Sequence, residues 1–186
     1  MPNYYFEMEI QLNGINIYAF ADTHGMHRKL VIPQKTDLLI CAGDVVEDDL
    51  DPNAYTDFLD WFDKQPGSQK IFVPGNHELS FEIAPKLAEL ILGDRDIILG
   101  NNTGLIYGGL SFYMMSSPTI PPWYEDIARN ADIIISHYPA EMIQGHETLN
   151  PDYFIHGHIH GCGGEQKLIY STLHCNCSKY DELIKL

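Results

Sequence analysis

Ile15-Asn16-Ile17-Tyr18-Ala19-Phe20-Ala21-Asp22-Thr23-His24-Gly25 is an apolar run that stops on an aspartate, a histidine and a glycine. Such a run reads as a β-strand, and glycine just past its end permits a tight turn. The same punctuation returns four times. Leu38–Ala42 is followed by Gly43-Asp44, Ile71–Val73 by Pro74-Gly75-Asn76-His77-Glu78, Ile133–Ile135 by Ser136-His137, and Tyr153–Ile155 by His156-Gly157-His158-Ile159-His160. These runs are nearly all apolar, as in strands covered on both faces. Each of the five candidate strands ends in residues that ligate metals. In open α/β sheets the functional crevice lies at the carboxyl ends of the strands, so strands sharing one sheet would carry all these side chains to one place.

Outward from these runs, Tyr5–Leu12 alternates and is expected to pair with Ile15–Ala21 through a turn at Asn13-Gly14. Asn53–Asp63 and Phe81–Leu92 have apolar residues at helical spacing, with Leu87, Leu90 and Ile91 on one stripe. Ile97–Met115 is punctuated at Asn101-Asn102, Gly104 and Gly108-Gly109 and reads as two or three short strands; a last strand is expected over Lys167–Cys175. The order βαβα followed by a β-rich stretch predicts an α/β sandwich of two sheets flanked by helices. No repeat or Gly/Ser linker interrupts the 186 residues, so a single domain over 1–186 is expected.

The chain carries 11 Lys+Arg against 26 Asp+Glu, a net charge of -15, with arginine only at Arg28, Arg95 and Arg129. That surface repels polyanions and argues against a groove tracking long nucleic acid. No apolar run approaches the ~18 residues of a membrane span, and Met1–Tyr5 lacks the basic and apolar regions of a secretory leader. Cys41, Cys162, Cys175 and Cys177 are too sparse for a disulfide scaffold and suit a reducing cytoplasm. Oligomeric state leaves no signal.

Each motif has a plainer reading. Asp22-Thr23-His24 could be a turn, Gly43-Asp44 a helix cap, and His137 a hydrogen-bonded core histidine. His158 and His160, two apart on an extended segment, face the same side, where a structural zinc pair is the competitor. The joint occurrence of all five in this order is the signal. Imidazole, carboxylate and amide oxygen together suit Mn, Fe or Zn better than an all-oxygen calcium site or a thiolate zinc site. The donors exceed what one ion needs, which favours two ions sharing a carboxylate.

Taken in order, Asp22/His24, Gly43-Asp44, Gly75-Asn76-His77-Glu78, His137 and Gly157-His158-Ile159-His160 resemble the signature of the calcineurin-like metallophosphoesterase superfamily, from about Ile15 to the last strand. Ala21–His27 and the Gly-His-Ile-His-Gly run are similar to its small single-domain phosphodiesterase branch. The resemblance implies a four-layer α/β sandwich, two mixed β-sheets flanked by helices, with two divalent ions at the strand ends. It implies one ion on Asp22, His24, Asp44 and His160 and the other on Asp44, Asn76, His137 and His158, with Asp44 bridging. It also implies that His77 is no ligand but faces the substrate beside Asn76, stabilising the phosphoryl group or protonating the leaving oxygen. The activity implied is hydrolysis of a small phosphorylated substrate by a hydroxide that two ions bridge and acidify, with His77 assisting departure. Two ions would outweigh the two aspartates locally, while the acidic surface is screened beyond about 8 Å.

The chain departs from the family at Gly43-Asp44-Val45-Val46-Glu47-Asp48-Asp49. Many members read Gly-Asp-x-x-Asp, often with an arginine after it, and protein Ser/Thr phosphatases use an arginine there to hold phosphate. Glu47 stands at the second acidic position, with hydrogen-bonding support as its expected task. Without the arginine, a diester is favoured over a monoester, whose extra charge it would neutralise. A phosphomonoesterase and a catalytically silent scaffold of the same fold are the alternatives, the scaffold disfavoured because every ligand position is filled. Of the remaining residues, His27 and Arg28 are candidates for touching substrate phosphate, and His156 for supporting the last ligand pair. Pro118, Pro121, Pro122 and Trp123 mark a stiff loop that could rim the cleft. Cys175 and Cys177 beside His174 invite a zinc reading but fit a buried final strand better.

Overall fold

In the strand Ile15–Phe20 (β2), Ile17 and Ala19 alternate with Tyr18 and Phe20, and all four are buried, so neighbours cover both faces. The architecture follows from that double covering. The structure is a computed structural model describing residues 8–47 and 52–186. Tyr5–Glu7 of the expected first strand and Asp48-Asp49 lie outside the described residues.

The first sheet holds β1 (Glu9–Leu12), β2, β3 (Leu38–Cys41), β4 (Gln69–Phe72) and β5 (Ile98–Leu99), in that order. β1 and β2 form the antiparallel hairpin expected at Asn13-Gly14, and β2 to β5 run parallel. The second sheet is built from β6 (Thr103–Tyr107), β7 (Leu110–Met115), β8 (Ile133–Ser136), β9 (Tyr153–His156), β10 (Gln166–Ile169) and β11 (Thr172–Asn176). Its order is β10-β11-β9-β8-β7-β6, with β7, β8, β9 and β11 parallel and the two edge strands antiparallel.

Between the sheets, Ile17, Ala19, Leu38, Ile40 and Ile71 join Phe112, Met114, Ile133, Ile135 and Ile155 in one core. The outer face of the first sheet, Tyr18, Phe20, Leu39, Cys41 and Phe72, receives α1 (Pro52–Asp63) through the i, i+3, i+4, i+7 stripe Tyr55, Phe58, Leu59 and Phe62. Burying each of these aromatic side chains is worth about 1.5–3 kcal/mol. The outer face of the second sheet, including Tyr113, Ile134 and Phe154, is covered by Ala128 of α4 (Glu125–Arg129) and by Ala140 and Ile143. Helices, sheet, sheet and a thinner layer of short helical turns make the four-layer sandwich.

The five strands with ligand-bearing ends are divided between the two sheets: β2, β3 and β4 lie in the first and β8 and β9 in the second. Their carboxyl ends nevertheless meet, because the chain beyond β11 joins the end of β2. The Ala21 N–H donates to the Cys177 carbonyl and the Lys179 N–H to the Ala21 carbonyl, both at 3.0 Å. The helix expected over Phe81–Leu92 is two, α2 (Leu79–Ile83) and α3 (Pro85–Leu92). Pro85 pushes the preceding Ala84 out of the helical region, to φ -138° and ψ 67°. Leu90 is 78% exposed, so the buried stripe of α3 comprises Leu87, Ala88 and Ile91. The last strand is a hairpin of β10 and β11 turning at Tyr170-Ser171, with Tyr170 at φ 55°. Among the described residues no helix is long and apolar enough to cross a membrane.

Candidate metal centre

Among the described residues, four of the seven non-glycine residues with left-handed backbone are Asp22 (φ 56°), His24 (φ 40°), Asp44 (φ 55°) and His158 (φ 70°). Such conformations cost of order 1–3 kcal/mol each and persist only where the surroundings impose them. Here they turn the chain sharply where each strand ends. The buried carboxylate of Glu78 holds two of the turns together: it accepts N–H groups from Asp44 (2.8 Å), Val45 (2.8 Å) and Gly75 (2.6 Å). Gly75 admits no side chain, since a Cβ there would collide with Asp44 Oδ1 and lie 2.8 Å from His137 Cγ.

These turns bring Asp22, His24, Asp44, Asn76, His137, His158 and His160 together. His137 Nε2 lies 3.0 Å from Asn76 Oδ1, 3.1 Å from His158 Nδ1 and 3.2 Å from Asp44 Oδ2. His158 Nδ1 is 3.0 Å from the same Asn76 oxygen. On the other side, His24 Nε2 and His160 Nε2 face each other at 3.4 Å, and His160 Nε2 is 3.6 Å from Asp22 Oδ1. Four donors around an ion at about 2.0–2.1 Å would be spaced about 3.3–3.4 Å apart. The His137 Nδ1–H donates to the Ala42 carbonyl at 2.8 Å, leaving its Nε2 lone pair turned into the cluster. Among the described residues three groups of donors converge, Asp22/His24/His160, Asp44/His137/His158 and, overlapping the first at His24, His24/Glu47/His77; the first two have the composition of a pair of divalent-ion sites.

The electrostatics agree. Asp22 and Asp44 are 0% and 1% exposed, and among the described residues no lysine or arginine pairs with either. Buried carboxylates persist when paired or coordinated to a metal. Burial opposes ionisation of Asp44, but the His137 imidazole and the His77 N–H outweigh it and hold its carboxyl below the ordinary value. Burial and the Asp44 charge push Glu78 up to about 7, against the pull of its backbone donors. Burial lowers His24 and His158 despite the nearby carboxylates.

His77 sits at the edge of the cluster. Its N–H donates to Asp44 Oδ1 at 3.1 Å, Nε2 is 3.8 Å from Asp44 Oδ2, and its ring meets that of His24 edge-on at 4.8 Å. Glu47 Oε1 lies 3.2 Å from His24 Nδ1. Two aromatic neighbours had no signal in the sequence: Tyr138, whose ring lies 5.3 Å from those of His137 and His158, and Tyr180, 4.3 Å from that of His160. Glu78 was visible only as part of a motif, its backbone-holding task unforeseen.

The structure does not bring His27 to the cluster. Its ring is buried against Phe58 and Trp61 of α1, with Nε2 3.2 Å from Asp57, because that apolar pocket outcompetes the cleft for the imidazole. Arg28 is engaged by the same Asp57 at 2.6 Å. His156 is buried and donates from Nδ1 to the Gly157 carbonyl at 2.9 Å. Among the described residues no metal-binding group includes Cys175, Cys177 or His174; both thiols are buried, and the His174 ring stacks on Phe154 at 5.5 Å. Pro118, but not Trp123, joins Gly75, Tyr138, Asn101 and Ser116 in lining a cavity of ≈ 430 Å³ beside the cluster.

Comparison with solved structures places the fold. Phosphopantetheinyl Hydrolase (PptH) from Mycobacterium tuberculosis superposes with a TM-score of 0.63 at 15% identity, covering 87% of this chain and 88% of that one. A second solved structure reaches 0.65 at 13% identity, covering 89% and 91%. Probable rhamnogalacturonate lyase C of Emericella nidulans is 25% identical over 193 residues, an alignment that takes in 83% of this chain but only 18% of that protein's length. The sequence model of the calcineurin-like phosphoesterases matches residues 15–162, which contain every clustered donor, and the chain belongs to that family.

Proposed function

We propose that this chain is a phosphodiesterase for small phosphorylated molecules. It works with two divalent ions of the Mn, Fe or Zn type in a reducing cytoplasm, residues 1–186 acting as one domain. Asp22, His24, Asp44 and His160 hold one ion; Asp44, Asn76, His137 and His158 hold the other, with Asp44 shared. When bound, the ions supply positive charge for phosphate oxygens and a nucleophile drawn from water. His77, a quarter exposed (23%) and tethered through its N–H to Asp44, donates its proton to the leaving oxygen. Asn76 orients the phosphoryl group beside it.

The observation that carries the diester reading is where the arginines go. Arg28 is on Asp57 (2.6 Å), Arg95 on Asp60 (2.6 Å) and Arg129 on Glu125 (2.9 Å), so none is at the cluster to meet a dianionic monoester. The adjoining cavity, lined by Asn101, Ser116, Pro118 and Tyr138 and by the acidic residues Glu78 and Glu89, has among the described residues no lysine, arginine or histidine in its walls, which favours an uncharged leaving alcohol. Four free thiols support the reducing compartment.

The test is hydrolysis of bis(p-nitrophenyl) phosphate and p-nitrophenyl phosphate with Mn2+ and with EDTA. The diester should lead by at least about tenfold in kcat/KM, a difference of about 1.4 kcal/mol, and EDTA should abolish the activity until Mn2+ is restored. A monoester in the lead reverses the substrate class; no metal-dependent hydrolysis of either returns the silent scaffold.

A further inference from the structure

A ligating imidazole needs something to fix its ring, usually a partner on its other nitrogen. His137 has the Ala42 carbonyl on Nδ1, whereas Glu47 lies 3.2 Å from His24 Nδ1 without a hydrogen bond to it. His160 is braced in another way. It opens a short 3-10 turn (His160–Cys162), its side chain is 34% exposed, and among the described residues none is hydrogen-bonded to its Nδ1. What lies on it instead is the face of Tyr180, centroid to centroid 4.3 Å with planes 30° apart. The same tyrosine meets the His24 ring edge-on at 5.2 Å, and the His24 and His160 rings meet each other at 5.2 Å, so the three rings pack on one another.

Tyr180 is held there by the strand end that presents Asp22. Ala21 pairs with Ser178 in a parallel bridge and its carbonyl accepts the Lys179 N–H at 3.0 Å. One turn on, in α5 (Tyr180–Leu183), Leu183 is fully buried and its carbonyl accepts Lys29 Nζ at 2.8 Å. The segment from Ser178 to Leu183 lies beyond the 15–162 span that matches the family.

Resting on the two-ion reading above, we propose that Tyr180 is a positioning residue that completes the Asp22/His24/His160 site, so that one of the two ions depends on the segment after β11 and the other does not. An aromatic face limits the imidazole to rotations within its plane and shields the coordinating edge from water. Removing it leaves His160 free to swing on its exposed turn.

The experiment is titration of the metal-stripped full-length chain with Mn2+, followed by calorimetry and by the electron paramagnetic resonance of free Mn2+. Wild type, Tyr180→Ala, Tyr180→Leu and Tyr180→Phe are compared, with kcat read at rising Mn2+. Tyr180→Ala and Tyr180→Leu should weaken one of two binding events by about 10–100-fold, the usual effect of removing a ligand's support, and leave the other within about threefold. Tyr180→Phe should bind as wild type does, and excess Mn2+ should restore kcat in the leucine variant. If the alanine variant is poorly folded, the leucine and phenylalanine variants decide. Unchanged Mn2+ isotherms in alanine and leucine variants, equal weakening of both events, or a phenylalanine variant as poor as leucine would overturn the inference while leaving the two-ion reading standing. A wild-type chain that takes up no Mn2+ would overturn both.

Discussion

His77 and Asp44 are neighbours with different tasks, and substitution separates them. Asp44 is buried with Oδ2 in the donor cluster; His77 reaches the cluster through its N–H and keeps its imidazole at the rim. His77→Ala should therefore retain nearly its full metal content by elemental analysis while turnover falls about 10²-fold or more, the scale of a proton-transfer group. Asp44→Ala should lose both ions. Metal loss in His77→Ala would make it a ligand. At this scale the donors were legible because each follows an apolar run, and a run that ends abruptly on Asp, Asn or His is visible in one dimension. Tyr180 was not, because its ring arrives through long-range pairing of Ser178 with Ala21, which leaves no periodic trace. His27 misled for the opposite reason: its closeness in sequence to His24 says nothing of the aromatic pocket that α1 offers it.

At the scale of elements, the strand-to-loop turns carry the site, and their tolerance is set by glycine. Gly75→Ala should drive Asp44 and His137 apart, costing about 1–3 kcal/mol as overpacking does and abolishing tight Mn2+ binding. Gly161→Ala, where a Cβ would meet nothing within 4 Å, should melt and bind as wild type does. Thermal melts with and without Mn2+ check both. The strands themselves were readable as runs of buried apolar residues, and α1 from its stripe. The partition of strands between two sheets was not, since a run covered on both faces looks the same in either. Pro85 announces the break before α3, but helical spacing continues across it and conceals it; Tyr170-Ser171 is hidden the same way inside β10–β11, lacking a glycine to mark the turn.

For the molecule as a whole, buried histidines set the acid limit. Burial lowers His27, His156 and His174 from the ordinary 6.5, so at these three sites the folded chain binds fewer protons than the unfolded one. Their contribution to stability is present above 6.5 and is lost as pH falls through the lower folded values. His137, raised because Asp44 outweighs its burial, and Glu78, pushed up to about 7 by burial and the Asp44 charge, oppose this. In EDTA the melting temperature should fall between pH 7.5 and 5.5, and His27→Leu, which suits the Phe58 and Trp61 pocket, should flatten that slope; an unaltered slope would exclude His27 as a contributor.

The donors that converge on this centre come from both halves of the sandwich, Asp22, Asp44 and Asn76 from one and His137 and His158 from the other. Cations seated among them would act as a clasp: uptake of metal and the docking of one half on the other would become a single thermodynamic event, each tightening as the other does. The chemistry and the architecture of this chain would then share one fastening.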